Sequence, residues 1–248
     1  MIMLNNAWQR LLLAGLCAGL FTGLVNQAHA ASFNVNPIGF ELSSERSSGV
    51  LQIRNTGDQP VRIQVEAVDW SSDGSKEVLS DTDALLLNPP IFTIEPDQMQ
   101  FLRFGLRHPQ NSPSEKSYRL LIDEVPQASL QGSGLKTLLR VSIPVFIGPK
   151  IRQEKISWQL KHVSGALLLS AANEGNVHSK INRITLRNAE DKDAVQIATP
   201  AYVLPGQRKE WSLVNGKIRD GAVRLHIQTD KGEIEEHLTL EADQVSSR

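Results

Sequence analysis

The chain has 248 residues, 40% hydrophobic and 5% aromatic, with 26 basic and 27 acidic side chains and a formal net charge of −1. Near-neutral balance excludes the basic footprint of a nucleic-acid binder. A single cysteine, Cys17, excludes a disulfide framework.

The first thirty residues read as a secretory signal peptide. Arg10 supplies the positive start, "LLLAGLCAGLFTGLV" the apolar run, and "AHA" at 28–30 the small-x-small cleavage site, which places cleavage after Ala30. Gly15, Gly19 and Gly23 and the short run argue against an uncleaved anchor. Leu16 stands where a lipobox needs a small residue before Cys17. Of the 26 basic residues only Arg10 is lost, so 25 face 27 acids and the mature net charge is −2. The mature chain then has no cysteine and depends on its core alone. No apolar run after residue 30 has membrane-spanning length, which predicts a soluble mature protein.

From residue 31 the pattern is short apolar alternation broken by turn residues. Strands are predicted at 32–36, 39–43, 49–55, 60–69, 84–87, 91–94, 98–106, 117–124 and 135–147. Turns fall at "SSERSSG", "TGDQP", "SSDGS", "NPP", "EPDQ", "HPQNSPSE" and "PQASLQGSG". No long stretch has a helical period. This is the texture of an antiparallel sandwich of immunoglobulin type. "GPKIRQ" at 148–153 reads as a hinge. Strands resume at 154–160, 166–172, 179–187, 194–203, 208–214, 222–228 and 233–240. The fold class is therefore all-β, with two sandwich domains, 31–149 and 150–248, and a frayed C-terminal tail.

Chemistry is sparse. His108, His162, His178, His226 and His237 have no partner at i+2 to i+4, so no zinc pair is evident. "QGSG" at 131–134 reads as a hairpin turn, not a nucleophile elbow. "DTD" at 81–83 lacks the other ligands of a calcium loop. The segment "LKTLLRVSIPVFI" at 135–147 is different. Leu135, Thr137, Leu139, Val141, Ile143, Val145 and Ile147 line one face, with Pro144 inside the run. Proline belongs at edges and bulges, and a long apolar edge is a liability that soluble proteins normally blunt. On its own this alternation reads first as the core face of an ordinary strand.

In order along the chain stand "NPIGFEL", "VLQIRNTGDQPVRIQVEAVDW", "LLLNPPIFTIEPDQMQFLRF", "SEKSYRLLIDEVP", "LLRVSIPVFIGPK", "NEGNVHSKINRITL" and "YVLPGQRKEW". Together they resemble the PapD-like periplasmic chaperones of the chaperone–usher pilus pathway. The resemblance implies two immunoglobulin-like domains in an L or boomerang arrangement and no cofactor or catalysis. It implies pilin subunits as partners, bound by donor-strand complementation, and an outer-membrane usher as recipient. Some relatives cap the free strand by dimerising. The inserting positions fall on Leu135, Thr137 and Leu139, with Val141 next. Ile143, Val145 and Ile147 are assigned to the core, with a bulge at Pro144 exchanging the faces.

The better-known members hold the subunit's C-terminal carboxylate with an arginine on the first strand and a lysine on the donor strand. Gly39 and Pro144 stand at those positions here. This departure resembles the archaic or alternative branch and requires another cation. The candidates are Arg119, Arg140 and Arg103, with Arg119 favoured because it interrupts an apolar strand beside the donor and suits bidentate carboxylate binding. Its alternative role is a solvent-facing residue or a pair with Asp123. Rival readings are a double-domain sugar- or peptide-binding module, which requires an aromatic face, and an exported hydrolase, which requires acids and histidines converging in a cleft.

Overall fold

The computed structural model describes residues 33–73, 76–109, 111–126, 137–163, 166–188, 194–198, 200–213, 218 and 221–240. Those residues form eighteen strands and no helix. Alternating β-branched and aromatic residues supply the strands, and asparagine, glycine and proline supply the turns between them.

The first half begins with β1 (Phe33–Asn36), β2 (Phe40–Leu42), β3 (Ser48–Asn55), β4 (Val61–Asp73) and β5 (Lys76–Asp81). It continues through β6 (Leu85–Asn88), β7 (Ile91–Ile94), β8 (Met99–Leu106), β9 (Lys116–Glu124) and β10 (Arg140–Ile147). One sheet has the order β1-β3-β8-β6. The other runs β2-β10-β9-β4-β5, with β7 also on β4. The first strand switches sheets at the cis Asn36–Pro37 bond: β1 pairs with β3, whereas β2 lies parallel to β10. Leu51, Ile53, Ile63, Leu102, Leu120 and Ile122 fill the space between the sheets without solvent exposure.

The second half contains β11 (Ile156–Val163), β12 (Ala166–Asn173), β13 (Ser179–Asn188), β14 (Ala194–Ile197), β15 (Ala201–Val203), β16 (Arg208–Leu213), β17 (Gly221–Thr229) and β18 (Glu233–Leu240). Sheets β11-β12-β16 and β14-β13-β17-β18, with β15 on β13, enclose a separate core around Leu169, Ile184, Leu186 and Leu225.

Both halves are closed by the same polar lock. Asn55 is fully buried, and its amide donates to the carbonyls of Gln59 and Ile94 while its oxygen accepts from Gly57 N–H. Asn173 does the same with Val177, Val203 and Gly175. Each asparagine N–H donates to a glutamine carbonyl, of Gln98 and Gln207, at the end of a turn containing a residue of positive φ, Asp97 or Gly206. "NTG…EPDQ" and "NEG…LPGQ" are one device used twice.

Three strand expectations are corrected. The strand expected at 135–147 begins at Arg140, and residues 137–139 precede it without strand pairing. Residues 76–81 form β5, a hairpin partner of β4, where turn and loop were expected. All six β5 residues are exposed, so no burial alternation marks the strand. The single strand expected at 194–203 is two, β14 and β15, both on β13. Pro200 lies between them and has no N–H for a ladder.

Candidate functional site

The site is built around β10. Its pairing with β9 runs one-to-one from Arg140↔Asp123 to Ile147↔Lys116, with no register shift. The bulge expected at Pro144 is therefore absent, and the faces are not exchanged there. Ile143, Val145 and Ile147 are core residues, 2%, 0% and 5% exposed. Leu139 and Val141 stay on that same face and pack, partly buried, against the same core. Thr137 and Leu138 are exposed beyond the end of the sandwich. Leu135 lies outside the described residues. The apolar stripe is thus continuous: covered at one end, half-covered in the middle, open at the other.

The backbone shows which groups point outward. Glu124 N–H donates to the Leu139 carbonyl at 3.0 Å, so the odd residues of β10 exchange bonds with β9. Gly148 N–H donates the other way, to the Leu42 carbonyl of β2 at 2.9 Å. Even residues therefore point their N–H and C=O groups toward β2. But β2 pairs only with Val145–Ile147. Among the described residues, Arg140 and Ser142 meet no strand on that side, and Pro144 marks where the open edge ends.

The outward face carries the cations. Arg119, on β9, stands opposite Pro144. Its guanidinium lies 3.6 Å above the Trp70 ring, and Nη2 and Nε donate to Glu77 Oε1 at 2.8 and 3.1 Å. The Arg119 side chain is 14% exposed. It lines a cleft of about 810 Å³ with Trp70, Glu77, Tyr202 and Trp211, residues drawn from both halves. The expected alternative pair with Asp123 is not made.

Asp123 instead accepts from Arg140, whose Nη2 lies 3.0 Å from Oδ2. That bond raises the Arg140 pKa, and the side chain stays 68% exposed. Arg103 is corrected out of the cleft. It sits on β8 in the opposite sheet, facing outward between Val50 and Asn88. Of the three candidates, only Arg119 lines the cleft.

Residues that the sequence reading missed join the halves. Trp70, Phe146 and Leu204 form a buried cluster with Tyr202 packed against it. His178 stacks on Phe146 at 3.6 Å, and its backbone N–H and ring Nδ1 both meet Glu115 Oε1, at 3.0 and 2.8 Å. Asn176 donates to the carbonyls of Pro113 and Ile151 and accepts from Gln153 N–H, so the hinge segment is strapped. A Cβ on Gly175 would lie 2.3 Å from the Gln153 carbonyl oxygen, so only glycine admits this approach. Trp70 had one signal: it breaks the odd-numbered core parity Ile63, Val65, Ala67 of its own strand. Glu77 and His178 had none, because their partners are distant in sequence.

Within the aromatic cluster Trp70 and Phe146 are buried, and Tyr202 is partly buried against them. The Glu115 and His178 side chains are 1% and 3% exposed, closed to any substrate. Among the described residues there is no group of three or more metal-ligating side chains, and no helix is long and apolar enough to cross a membrane.

The described geometry has solved counterparts. The chaperone in the CsuC–CsuE pre-assembly complex of the archaic Csu pili of Acinetobacter baumannii superposes with a TM-score of 0.65 at 20% identity, covering 86% of this chain and 100% of that one. The Salmonella enterica SafA pilin–SafB chaperone complex gives 0.62 at 17% identity, covering 86% and 98%. The Escherichia coli chaperone DraB gives 0.59 at 18%, covering 85% and 100%. In sequence alone, none of the curated proteins matches the chain. The pili and flagellar-assembly chaperone family, through its PapD N-terminal domain, matches residues 32–152. Residues 32–152 are thus similar to the N-terminal domain of the PapD-like pilus chaperones, and the chain carries the all-β fold of these solved chaperones.

Proposed function

We propose that this protein is a periplasmic chaperone of the chaperone–usher pathway. A signal peptide cleaved after Ala30 exports it, residues 31–149 form the donor-strand domain, and residues 150–248 form the second domain. It binds a pilin subunit that lacks one strand, keeps its groove filled, and passes it to an outer-membrane usher. It acts by binding and needs no cofactor.

The observation that carries this reading is the edge of β10. Among the described residues, Arg140 and Ser142 turn backbone groups outward to no strand, beside a stripe that runs from buried Ile143 through half-buried Val141 and Leu139 to exposed Thr137. A subunit with a missing strand needs both a hydrogen-bonding edge and alternate side chains for its pockets. Leu135, Thr137, Leu139 and Val141 supply the side chains. Arg119 anchors the subunit's terminal carboxylate, replacing the pair that Gly39 and Pro144 cannot provide. That replacement, and the fold shared with an archaic assembly, support the archaic or alternative branch.

The test is co-expression with a pilin subunit from the same organism. Thr137→Asp should abolish recovery of soluble complex while leaving the chaperone's own melting temperature unchanged. Undiminished complex would overturn the donor-strand assignment.

A further inference from the structure

We infer that Glu77 competes internally for Arg119: a carboxylate of the chaperone holds the guanidinium until the subunit's terminal carboxylate displaces it. This rests on the reading of Arg119 as the anchor.

The placement of Arg119 creates the need. Its side chain is mostly buried, flat on Trp70 and walled by Tyr202 from the second half, with the ring centroid 5.8 Å from the guanidinium carbon. A guanidinium removed from water requires a charged partner. A chaperone waiting for its subunit would otherwise hold that charge uncompensated. Glu77 compensates it.

The contact is also built to be given up. Both hydrogen bonds go to one oxygen, Oε1, so the pair does not form the two-oxygen fork in which arginine binds carboxylate best. Glu77 is 48% exposed and returns readily to water. It lies on β5, an edge strand held by β4 alone, whose six residues are all exposed. Glu77 and Arg119 line the same cleft, so an arriving carboxylate meets an occupied cation. Two carboxylates crowded on one guanidinium repel each other, so binding proceeds by exchange.

The exchange makes Glu77 a specificity-determining residue. A stray carboxylate brings no other contact and does not displace Glu77. A subunit's C-terminus arrives with strand pairing along β10 and does. Discrimination by an opposing internal contact is a general route to selectivity.

The experiment uses the full mature chain and a synthetic peptide copy of a pilin's final strand, as free acid and as C-terminal amide. Trp70 emission, sensitive to the guanidinium above its ring, reports binding. Glu77→Gln should tighten the free acid about three- to fivefold, the scale of a lost surface ion pair. It should leave the amide unchanged and let acetate perturb Trp70 at concentrations where the native protein shows nothing. Arg119→Met should erase all these effects. Glu77→Ala, with a matching melting curve, guards against a folding artefact. If Glu77→Gln weakens the free acid while Arg119→Met still abolishes the acid's advantage over the amide, Glu77 merely positions Arg119, and the inference fails while the anchor stands. If the acid keeps its advantage over the amide in Arg119→Met, the anchor fails and the inference falls with it.

Discussion

Pro144 and Arg119 face each other across the β9–β10 ladder, and a Cβ added to Gly39 would meet the Pro144 ring at 3.6 Å. Gly39, immediately before β2, therefore stands in a row with Pro144 on β10 and Arg119 on β9. The two positions that lack a cation here lie beside the one position that has one. Moving a charge one strand sideways keeps its level in the sheet and its outward face.

That row predicts a transplant. Arg119→Met should weaken binding of a free-acid subunit peptide by roughly ten- to hundredfold, the worth of charge-assisted hydrogen bonds of about 1.5–3 kcal/mol. Pro144→Lys in that background should recover part of the loss, because the new ammonium rises from the facing position. Calorimetric titration of acid and amide peptides checks both. No recovery would place the carboxylate elsewhere.

The open edge of β10 predicts a backbone effect. Ser142 turns its N–H away from β9, so Ser142→Pro removes an outward donor and spares the ladder to β9. The expected result is a near-native melting temperature with subunit capture reduced at least tenfold, measured by co-purification. Unreduced capture would mean that the subunit does not pair along Arg140–Ile143.

The paired asparagine locks predict matched losses of stability in the two halves. Asn55→Ala takes the partner from the Gln59 and Ile94 carbonyls and from Gly57 N–H, and Asn173→Ala takes it from the Val177 and Val203 carbonyls, while Gly175 N–H keeps the Lys155 carbonyl. Each should cost about 2–4 kcal/mol, since buried unsatisfied groups cost about 1–3 kcal/mol apiece and relaxation recovers part. Denaturant unfolding measures it. A loss below 1 kcal/mol at either site would show that the lock is dispensable there.

The Glu115–His178 pair predicts coupling between the halves. His178→Ala leaves a Glu115 carboxylate whose Oε2 already has no hydrogen-bond partner, and it removes the ring stacked on Phe146. The substitution should destabilise the protein by about 2–4 kcal/mol and split one unfolding transition into two. Scanning calorimetry shows which occurs. A single unshifted transition would mean that the aromatic cluster alone couples the halves.

Much of the fold was legible because it is written in local pattern. Alternation places Ile63, Val65, Leu120 and Ile122 inside, and Asn-x-Gly and x-Pro-x-Gln turns punctuate both halves at matching places. The β5 strand was not legible, because an edge strand with every residue exposed carries no burial alternation. The straight register through Pro144 was not legible either. A proline in a strand fits a bulge or an edge equally, and only the neighbouring strand distinguishes them.

The sequence by itself determined the all-β texture, the apolar stripe from Leu135 to Ile147, the absence of cations at Gly39 and Pro144, and the short roster of candidate arginines. Side-chain periodicity and residue chemistry are properties of the chain alone. Only the tertiary structure set those arginines in different surroundings. Arg103 went to the far sheet, Arg140 to Asp123 in open water, and Arg119 to a cleft under Tyr202 with Glu77 on its guanidinium. Those outcomes depend on which strands become neighbours and which halves meet. Residues 77, 119 and 202 share a site through long-range packing, which no local window of sequence contains.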